Sequence, residues 1–206
     1  MYLSFSEAFW RGKGNSSDCV GGFVQWIAPN YDSENNPAKW NQELVELAGI
    51  DPSTAHPTLL FYIFGEQSRY ITSSLVKLAA QEQKDKFLYD FFRPYYSRLP
   101  NYTEADPGCQ PAGSLATTWL QDELAGNGSY CNFQTGLENG DAAIETMRKG
   151  LPEERLWFAG EHTAPFVALG TTTGAYWSGE AVGKRILEAY GLPLKTGADH
   201  GQARND

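Results

Sequence analysis

The sequence predicts a mixed α/β fold, of the α+β kind, in two parts. Short apolar runs of strand character occupy the first 64 residues, helical periodicity dominates residues 70–99, and near the C-terminus an apolar strand leads through a loop into a long helix. A stretch rich in Pro, Gly and small residues, 100–118, reads as a crossing between the parts. We therefore expect one domain portion over 1–117, a second over 118–191 and a disordered polar tail over 192–206.

Three strands are predicted in the first part. Tyr2, Leu3 and Phe5 form a short apolar run, and residues 22–27 partly alternate apolar and polar side chains. Residues 59–64 are continuously apolar, which is typical of a buried strand. Because the chain opens directly in a strand, we expect a further segment upstream of it.

A helix is predicted between the second and third strands. Asn36 and Pro37 form a pair typical of a helix N-cap and first turn. Gly49 is typical of a helix end. The residues between them place apolar side chains at three- and four-residue spacing: Trp40, Leu44, Leu47 and Ala48.

Residues 70–99 contain two helical patches, 75–79 and 87–95. Pro94 should end or kink the second helix, because proline lacks the amide hydrogen and clashes with the preceding turn. We expect the aromatic stripe of this helix to pack in the core: Phe87, Phe91, Phe92 and Tyr95.

Two helices and one strand are predicted in the second part of the chain. A short helix near residues 141–149 is closed by Gly150 and Pro152. An apolar strand is expected at 155–159, and a long helix from about residue 172 to residue 190.

Composition argues against several classes of function. The net charge is −9 and no basic stripe occurs, so a nucleic-acid partner is not expected. No apolar run approaches the roughly 20 residues that span a membrane, and neither the three cysteines nor the three histidines have metal-ligand spacing. Three Asn-x-Ser/Thr sequons, at Asn15, Asn101 and Asn127, point towards a secreted parent protein.

The chemistry is expected where the strand at 155–159 ends and the last helix begins. Ligands of open α/β sheets bind in the crevice at the carboxyl ends of strands. There Glu161 offers a carboxylate to hydroxyl groups, and the unpaired amides at the helix start present partial positive charge. Small residues at four-residue spacing, Ala175, Gly179 and Gly183, would admit a flat cofactor or another backbone.

Two blocks of sequence resemble a known family. Phe-Ala-Gly-Glu-His-Thr at 158–163, followed after a loop by Gly-Ala-Tyr-Trp-Ser-Gly-Glu at 174–180, is similar to the C-terminal FAD motif of the flavin-containing amine oxidases. That family includes polyamine oxidases, monoamine oxidases and histone lysine demethylases. Trp119, Asp122 and Gly-Ser-Tyr at 128–130 resemble a further segment of it, and the likeness covers nearly all of residues 1–190.

The resemblance implies the C-terminal portion of a FAD-dependent oxidase that acts on a small-molecule amine. Residues 1–117 would belong to a substrate-binding domain with a mixed sheet and helices, and residues 118–191 would complete a Rossmann-like FAD-binding domain. Hydride would pass from the carbon next to the amine to the flavin, and oxygen would be reduced to hydrogen peroxide.

The resemblance also assigns individual residues. Gly160, Glu161, Thr171 and Thr172 would bind the cofactor, with Glu161 near the ribityl chain and the amide of Thr172 facing the flavin pyrimidine ring. Tyr130 and Thr171 are the expected catalytic positions: Tyr130 matches one wall of an aromatic cage in front of the flavin, and Thr171 occupies the place of a second cage tyrosine. The residues alone leave simpler interpretations open: a packed surface tyrosine for Tyr130 and a strand-end carboxylate for Glu161.

Two features of the family are missing from these 206 residues. The Gly-x-Gly-x-x-Gly turn that holds the FAD pyrophosphate does not occur, and the lysine that holds a water against the flavin aligns just before Met1. We therefore expect the chain to need an N-terminal FAD-binding segment and to be inactive alone. The alternatives are a non-catalytic remnant or partner-binding half, and another flavoprotein such as a desaturase or a protoporphyrinogen oxidase.

Overall fold

The computed structural model describes residues 1–12, 19–49, 51, 53–125, 128–133 and 136–194. The chain divides into two compact units, Met1–Asn127 and Gly128–Asp206. Five strands and four α-helices lie within the described ranges, so the predicted mixed α/β class is confirmed. The assignment of 1–117 and 118–191 to a substrate-binding and a cofactor-binding domain stays a prediction, and most of the predicted tail at 192–206 lies outside the described residues.

The first unit is built on an antiparallel sheet. All three strands predicted from the apolar runs are present, and two more join them. The sheet order is β2-β3-β4-β1-β5, and every neighbouring pair is antiparallel, so the expectation of a mixed sheet was wrong. The strands are β1 Tyr2–Phe5, β2 Phe23–Trp26, β3 Gln42–Glu46, β4 Thr58–Tyr62 and β5 Pro111–Leu115.

The helix predicted after Asn36 is instead a loop followed by β3. The Asn36 side chain accepts a hydrogen bond from the Trp40 amide at 2.8 Å and donates one to the Trp40 carbonyl, which fixes a loop. Burial along β3 alternates, with Gln42, Leu44 and Glu46 inside. Pairing with β2 and β4 on both sides therefore overrode a pattern that also fitted a helix.

The predicted crossing at 100–118 contains an unpredicted strand. β5 pairs with β1 at one edge of the sheet, although its sequence, Pro-Ala-Gly-Ser-Leu, has low strand propensity. Pro111 is its first residue, a position where the lost amide donor is tolerated. Backbone pairing supplied by β1 determines this strand.

Two helices, α1 Gly65–Val76 and α2 Gln81–Tyr96, complete the first unit. α2 ends two residues after Pro94, as predicted. The aromatic stripe packs in the core as expected: Phe92 stacks on Phe61 of β4 with ring centroids 4.2 Å apart, Phe91 and Tyr95 are buried, and Phe87 is partly buried.

The second unit contains the two predicted helices, α3 Gly140–Lys149 and α4 Thr172–Ala189. The strand predicted at 155–159 was wrong, because within the described residues only Leu156 is paired, through an isolated bridge to Leu151. A strand requires a neighbour along its length. Leu156 and Phe158 remain 42% and 36% exposed, so the apolar run is not buried within this unit.

Candidate functional site

All the residues predicted to act on cofactor or substrate lie in the second unit. They occupy three places: the segment of Tyr130, the single 3₁₀ turn Glu161–Thr163 after Gly160, and the start of α4 at Thr171 and Thr172. Within the unit, hydrogen bonds and packing join these three places into one cluster.

Both the backbone conformation and the neighbouring atoms at position 160 require glycine. Its φ is +141°, in the range that favours glycine. A Cβ atom added there would lie 2.7 Å from Cε1 of His162, so the imidazole occupies the side that a larger residue would need. The Gly160 amide donates to Ser178 Oγ on α4 at 2.9 Å, which attaches the turn to the helix.

Glu161 accepts two backbone hydrogen bonds on one carboxylate oxygen. Oε1 receives the amide of Cys131 at 2.7 Å and the amide of Gly170 at 3.0 Å. Burial raises the pKa of the Cys131 thiol, and the nearby negative charge of Glu161 raises it further. The side chain expected to serve a cofactor therefore also joins two chain segments.

Tyr130 lies against the turn that precedes α4. A Cβ atom added at Gly170 would lie 3.2 Å from Cδ2 of the Tyr130 ring. Gly170 has φ +74°, so both its conformation and its contact with the ring favour glycine. Tyr130 is 52% exposed in the structure.

Thr171 is the N-cap of α4. Its hydroxyl donates to the Ala168 carbonyl at 2.7 Å and accepts from the Gly174 amide at 2.9 Å. The predicted catalytic position Thr171 thus has its hydroxyl proton bonded to the Ala168 carbonyl and its hydroxyl oxygen engaged in the cap. Thr172 begins the 18-residue helix, and the amide of a first helical residue has no partner inside the helix, so it is suited to stabilise negative charge.

The sequence pattern did not identify Gly174, the residue that lets α4 pack closely against the segment before it. A Cβ atom at Gly174 would lie 2.1 Å from the Ala168 carbonyl oxygen and 2.9 Å from Cβ of Ala164. By contrast, a Cβ atom at Gly179 or Gly183 would meet nothing within 4 Å. Gly174 stands inside the recognised motif, but residue spacing alone does not distinguish the tightly packed glycine from the open ones.

The ends of the cluster suit a flavin better than a metal ion. The described residues contain no group of three or more His, Cys, Asp or Glu side chains that could hold a metal. The cluster offers amide donors at an exposed helix N-terminus, a carboxylate acceptor and an aromatic ring, which together fit the electron-rich edge and the polar chain of a flavin.

None of the described helices is both long and apolar enough to cross a membrane.

Comparison with known proteins gives the family. Residues 1–187 match the model of the flavin containing amine oxidoreductases. The chain is 22% identical over 178 residues to lysine-specific histone demethylase 1 of Caenorhabditis elegans, and 26% identical over 178 residues to a lysine-specific histone demethylase 1B homolog of the same organism. Each match covers 86% of this chain and 19% of the relative, so the chain spans about a fifth of their length. The chain belongs to the flavin-containing amine oxidoreductase family, whose cofactor is FAD.

Proposed function

We propose that this chain supplies the flavin-facing C-terminal part of an oxidase that acts on an amine. The observation that carries the proposal is the contact between Tyr130 and Gly170, next to the N-cap Thr171. It brings an aromatic ring and an exposed helix N-terminus together. An aromatic wall orients an apolar amine, and a positive partial charge stabilises negative charge on the reduced flavin.

Each predicted residue has a proposed task in that site. The Thr172 amide at the start of α4 stabilises negative charge on the pyrimidine side of the ring. Thr171 keeps that amide in place through its cap. Glu161 has Oε1 occupied by two amides, so Oε2 is the oxygen we assign to a ribityl hydroxyl.

Gly160 and Tyr130 complete the assignment. Gly160 lets the backbone after Ala159 turn tightly before Glu161, and the exposed face of Tyr130 orients an apolar amine and excludes water beside it. When bound, FAD supplies the ring that accepts hydride, and the protein orients and polarises it. Thr171 stands where a second aromatic wall would be, so the proposal extends to amines as a class.

The proposed domain roles follow the same reasoning. The sheet and helices of residues 1–117 would bind substrate, and residues 118–191 would complete a Rossmann-like FAD-binding domain. The Gly-x-Gly-x-x-Gly turn that would hold the pyrophosphate does not occur in the sequence. We therefore propose that activity requires a separate FAD-binding segment.

The test compares the 206-residue chain with a longer protein that joins it to an N-terminal FAD-binding segment carrying a Gly-x-Gly-x-x-Gly turn. Each is titrated with FAD and assayed for hydrogen peroxide with a panel of polyamines, arylalkylamines and methyl-lysine peptides. We expect stoichiometric binding of FAD and release of hydrogen peroxide only with the longer protein.

Three other results would contradict parts of the proposal. Peroxide release by the short chain with FAD would refute the requirement for the further segment. A longer protein that binds flavin and oxidises carotenoid or porphyrin substrates but no amine would identify another flavoprotein class. A reading frame with a stop codon before any Gly-x-Gly-x-x-Gly turn would favour the non-catalytic remnant.

A further inference from the structure

Glu161 joins two segments that lie far apart in the sequence. Its Oε1 atom accepts the amide of Cys131, 30 residues earlier, and the amide of Gly170, 9 residues later. Both hydrogen bonds are charge-assisted, a kind roughly twice as strong as neutral ones. In the part of the chain that the structure describes, this carboxylate has backbone amides as partners and takes part in none of the ion pairs.

The two amides flank the aromatic ring of the site. Cys131 directly follows Tyr130, and Gly170 is the residue against which the Tyr130 ring lies. The next residue after Gly170 is Thr171, which caps α4. The Oε1 atom of Glu161 therefore holds the backbone next to Tyr130 and the backbone of the Gly170 turn, just before α4 begins.

We propose that Glu161 is a positioning residue that holds Tyr130 in register with the N-terminus of α4 through Oε1. The structural part of this inference stands on the two hydrogen bonds, whereas its consequence for amine oxidation rests on the proposed function. Without the carboxylate, the partly buried Cys131 amide and the exposed Gly170 amide lose their shared acceptor, and the segment of Tyr130 loses this connection to the Gly170 turn.

Amide hydrogen exchange of the ¹⁵N-labelled 206-residue chain tests the structural part without flavin or turnover. In E161A we expect the Cys131 and Gly170 amides to exchange about tenfold faster, because each loses a charge-assisted hydrogen bond that protects it from exchange. E161Q keeps an acceptor oxygen and should restore part of the protection. The central amides of α4 should stay within about twofold, because they are bonded inside the helix.

A matched control and a second measurement keep the test decisive. E188A removes an exposed carboxylate from α4 in the same unit and should leave both amides unchanged. The rate of Cys131 alkylation as a function of pH gives an independent reading, since loss of the Glu161 charge should move its midpoint to lower pH in E161Q. If E161A does not fold, E161Q alone tests the proposal, because both amide exchange and the pH dependence of Cys131 alkylation can be measured on it.

Unchanged exchange at Cys131 and Gly170 in the Glu161 variants, with an unchanged alkylation midpoint, would overturn the inference. In the longer, flavin-loaded protein, E161A should raise KM for the amine, and E161Q should rescue part of the loss. Faster exchange without any amine oxidation by the wild-type longer protein would leave the structural tie standing and refute the proposed function. The two failures are therefore distinguishable.

Discussion

The indole N–H of Trp10 donates a 3.1 Å hydrogen bond to Oε2 of Glu46. Trp10 is completely buried and Glu46 is 2% exposed. The same oxygen accepts the Ala48 amide at 3.0 Å, and Oε1 lies 3.4 Å from Nη1 of Arg11. A buried carboxylate on β3 therefore connects that strand to the segment that follows β1.

Replacing Glu46 should destabilise the first unit strongly. E46A leaves the Trp10 and Ala48 donors without their acceptor, and we expect a loss of about 2–4 kcal/mol in the free energy of unfolding. E46Q should lose less, because it keeps an acceptor oxygen. The control E43A removes a more exposed carboxylate of the same strand and should cost less than about 1 kcal/mol. Urea denaturation followed by tryptophan fluorescence measures all three, and equal losses for E46A and E43A would contradict the prediction.

A second buried contact predicts how stability depends on alkaline pH. Burial raises the pKa of Tyr95, and its 2.5 Å hydrogen bond to Asp32 raises it further. In the unfolded chain the phenol has its ordinary pKa near 10. Because the folded state holds the proton more tightly, the stabilisation is complete below about pH 10 and is lost as the pH rises from there towards the folded-state value.

Y95F should reduce this alkaline decline, and part of it should remain because burial also raises the pKa of Tyr96. The slope of unfolding free energy against pH should fall by up to about 1.4 kcal/mol per pH unit above pH 10, the contribution of one proton. F91L, a change at a buried aromatic residue that carries no titratable proton, should keep the wild-type slope. Denaturation at a series of pH values measures the slopes, and the same decline in Y95F as in the wild type would disprove the assignment to Tyr95.

Two of the glycines of α4, Gly174 and Gly179, form a natural matched pair. G174A places a Cβ atom 2.1 Å from the Ala168 carbonyl oxygen, so we expect a loss of about 1–3 kcal/mol from overpacking. G179A meets no atom within 4 Å and should gain about 0.5–1 kcal/mol, because alanine is the better helix former. Exchange of the α4 amides reports the stability of the second unit, and effects of equal sign would contradict the packing described for Gly174.

The role proposed for the start of α4 can be tested by deleting one amide. Proline is favoured at the first position of a helix, and Thr171 already has the extended conformation that a residue before proline prefers, with φ −121° and ψ 152°. T172P should therefore keep the helix and remove a single N–H donor. In the longer, flavin-loaded protein we expect amine oxidation to slow about a hundredfold, the usual effect of losing one such donor.

T172A is the control for this deletion. It removes the same side chain but keeps the amide, so its rate should stay within about twofold of the wild type. Circular dichroism of both variants checks that α4 persists. A slow T172A enzyme would assign the effect to the side chain, and an unaffected T172P enzyme would remove the amide from the mechanism.

Local sequence determined the elements whose signals did not depend on a neighbour. The run at 59–64 became β4, and the repeat that includes Phe91 and Phe92 became α2, which ends just after Pro94. α4 begins at Thr172, as the motif predicted. In each case the burial pattern and the terminating residues favoured the same element, so intrinsic preference and tertiary environment agreed.

Tertiary structure decided the elements for which local preference was ambiguous or weak. Leu44 fitted a helical spacing, and pairing with β2 and β4 placed it in a strand instead. β5 has little strand propensity and exists through β1. Conversely, the apolar run that includes Phe158 is no strand, because nothing described lies alongside it beyond the single bridge from Leu156 to Leu151. Strand formation depends on partners distant in the sequence.

The sequence by itself determined the family, the FAD cofactor and the residues at which a site should be sought, because those are carried by residue types in a fixed order. Only the tertiary structure decided how these residues are connected. It engaged the Thr171 hydroxyl oxygen in a helix cap, closed the space around Gly174 and gave the Glu161 carboxylate the amides of Cys131 and Gly170. Hydrogen bonds between segments 30 residues apart depend on how the backbone folds back, which the order of residue types does not specify.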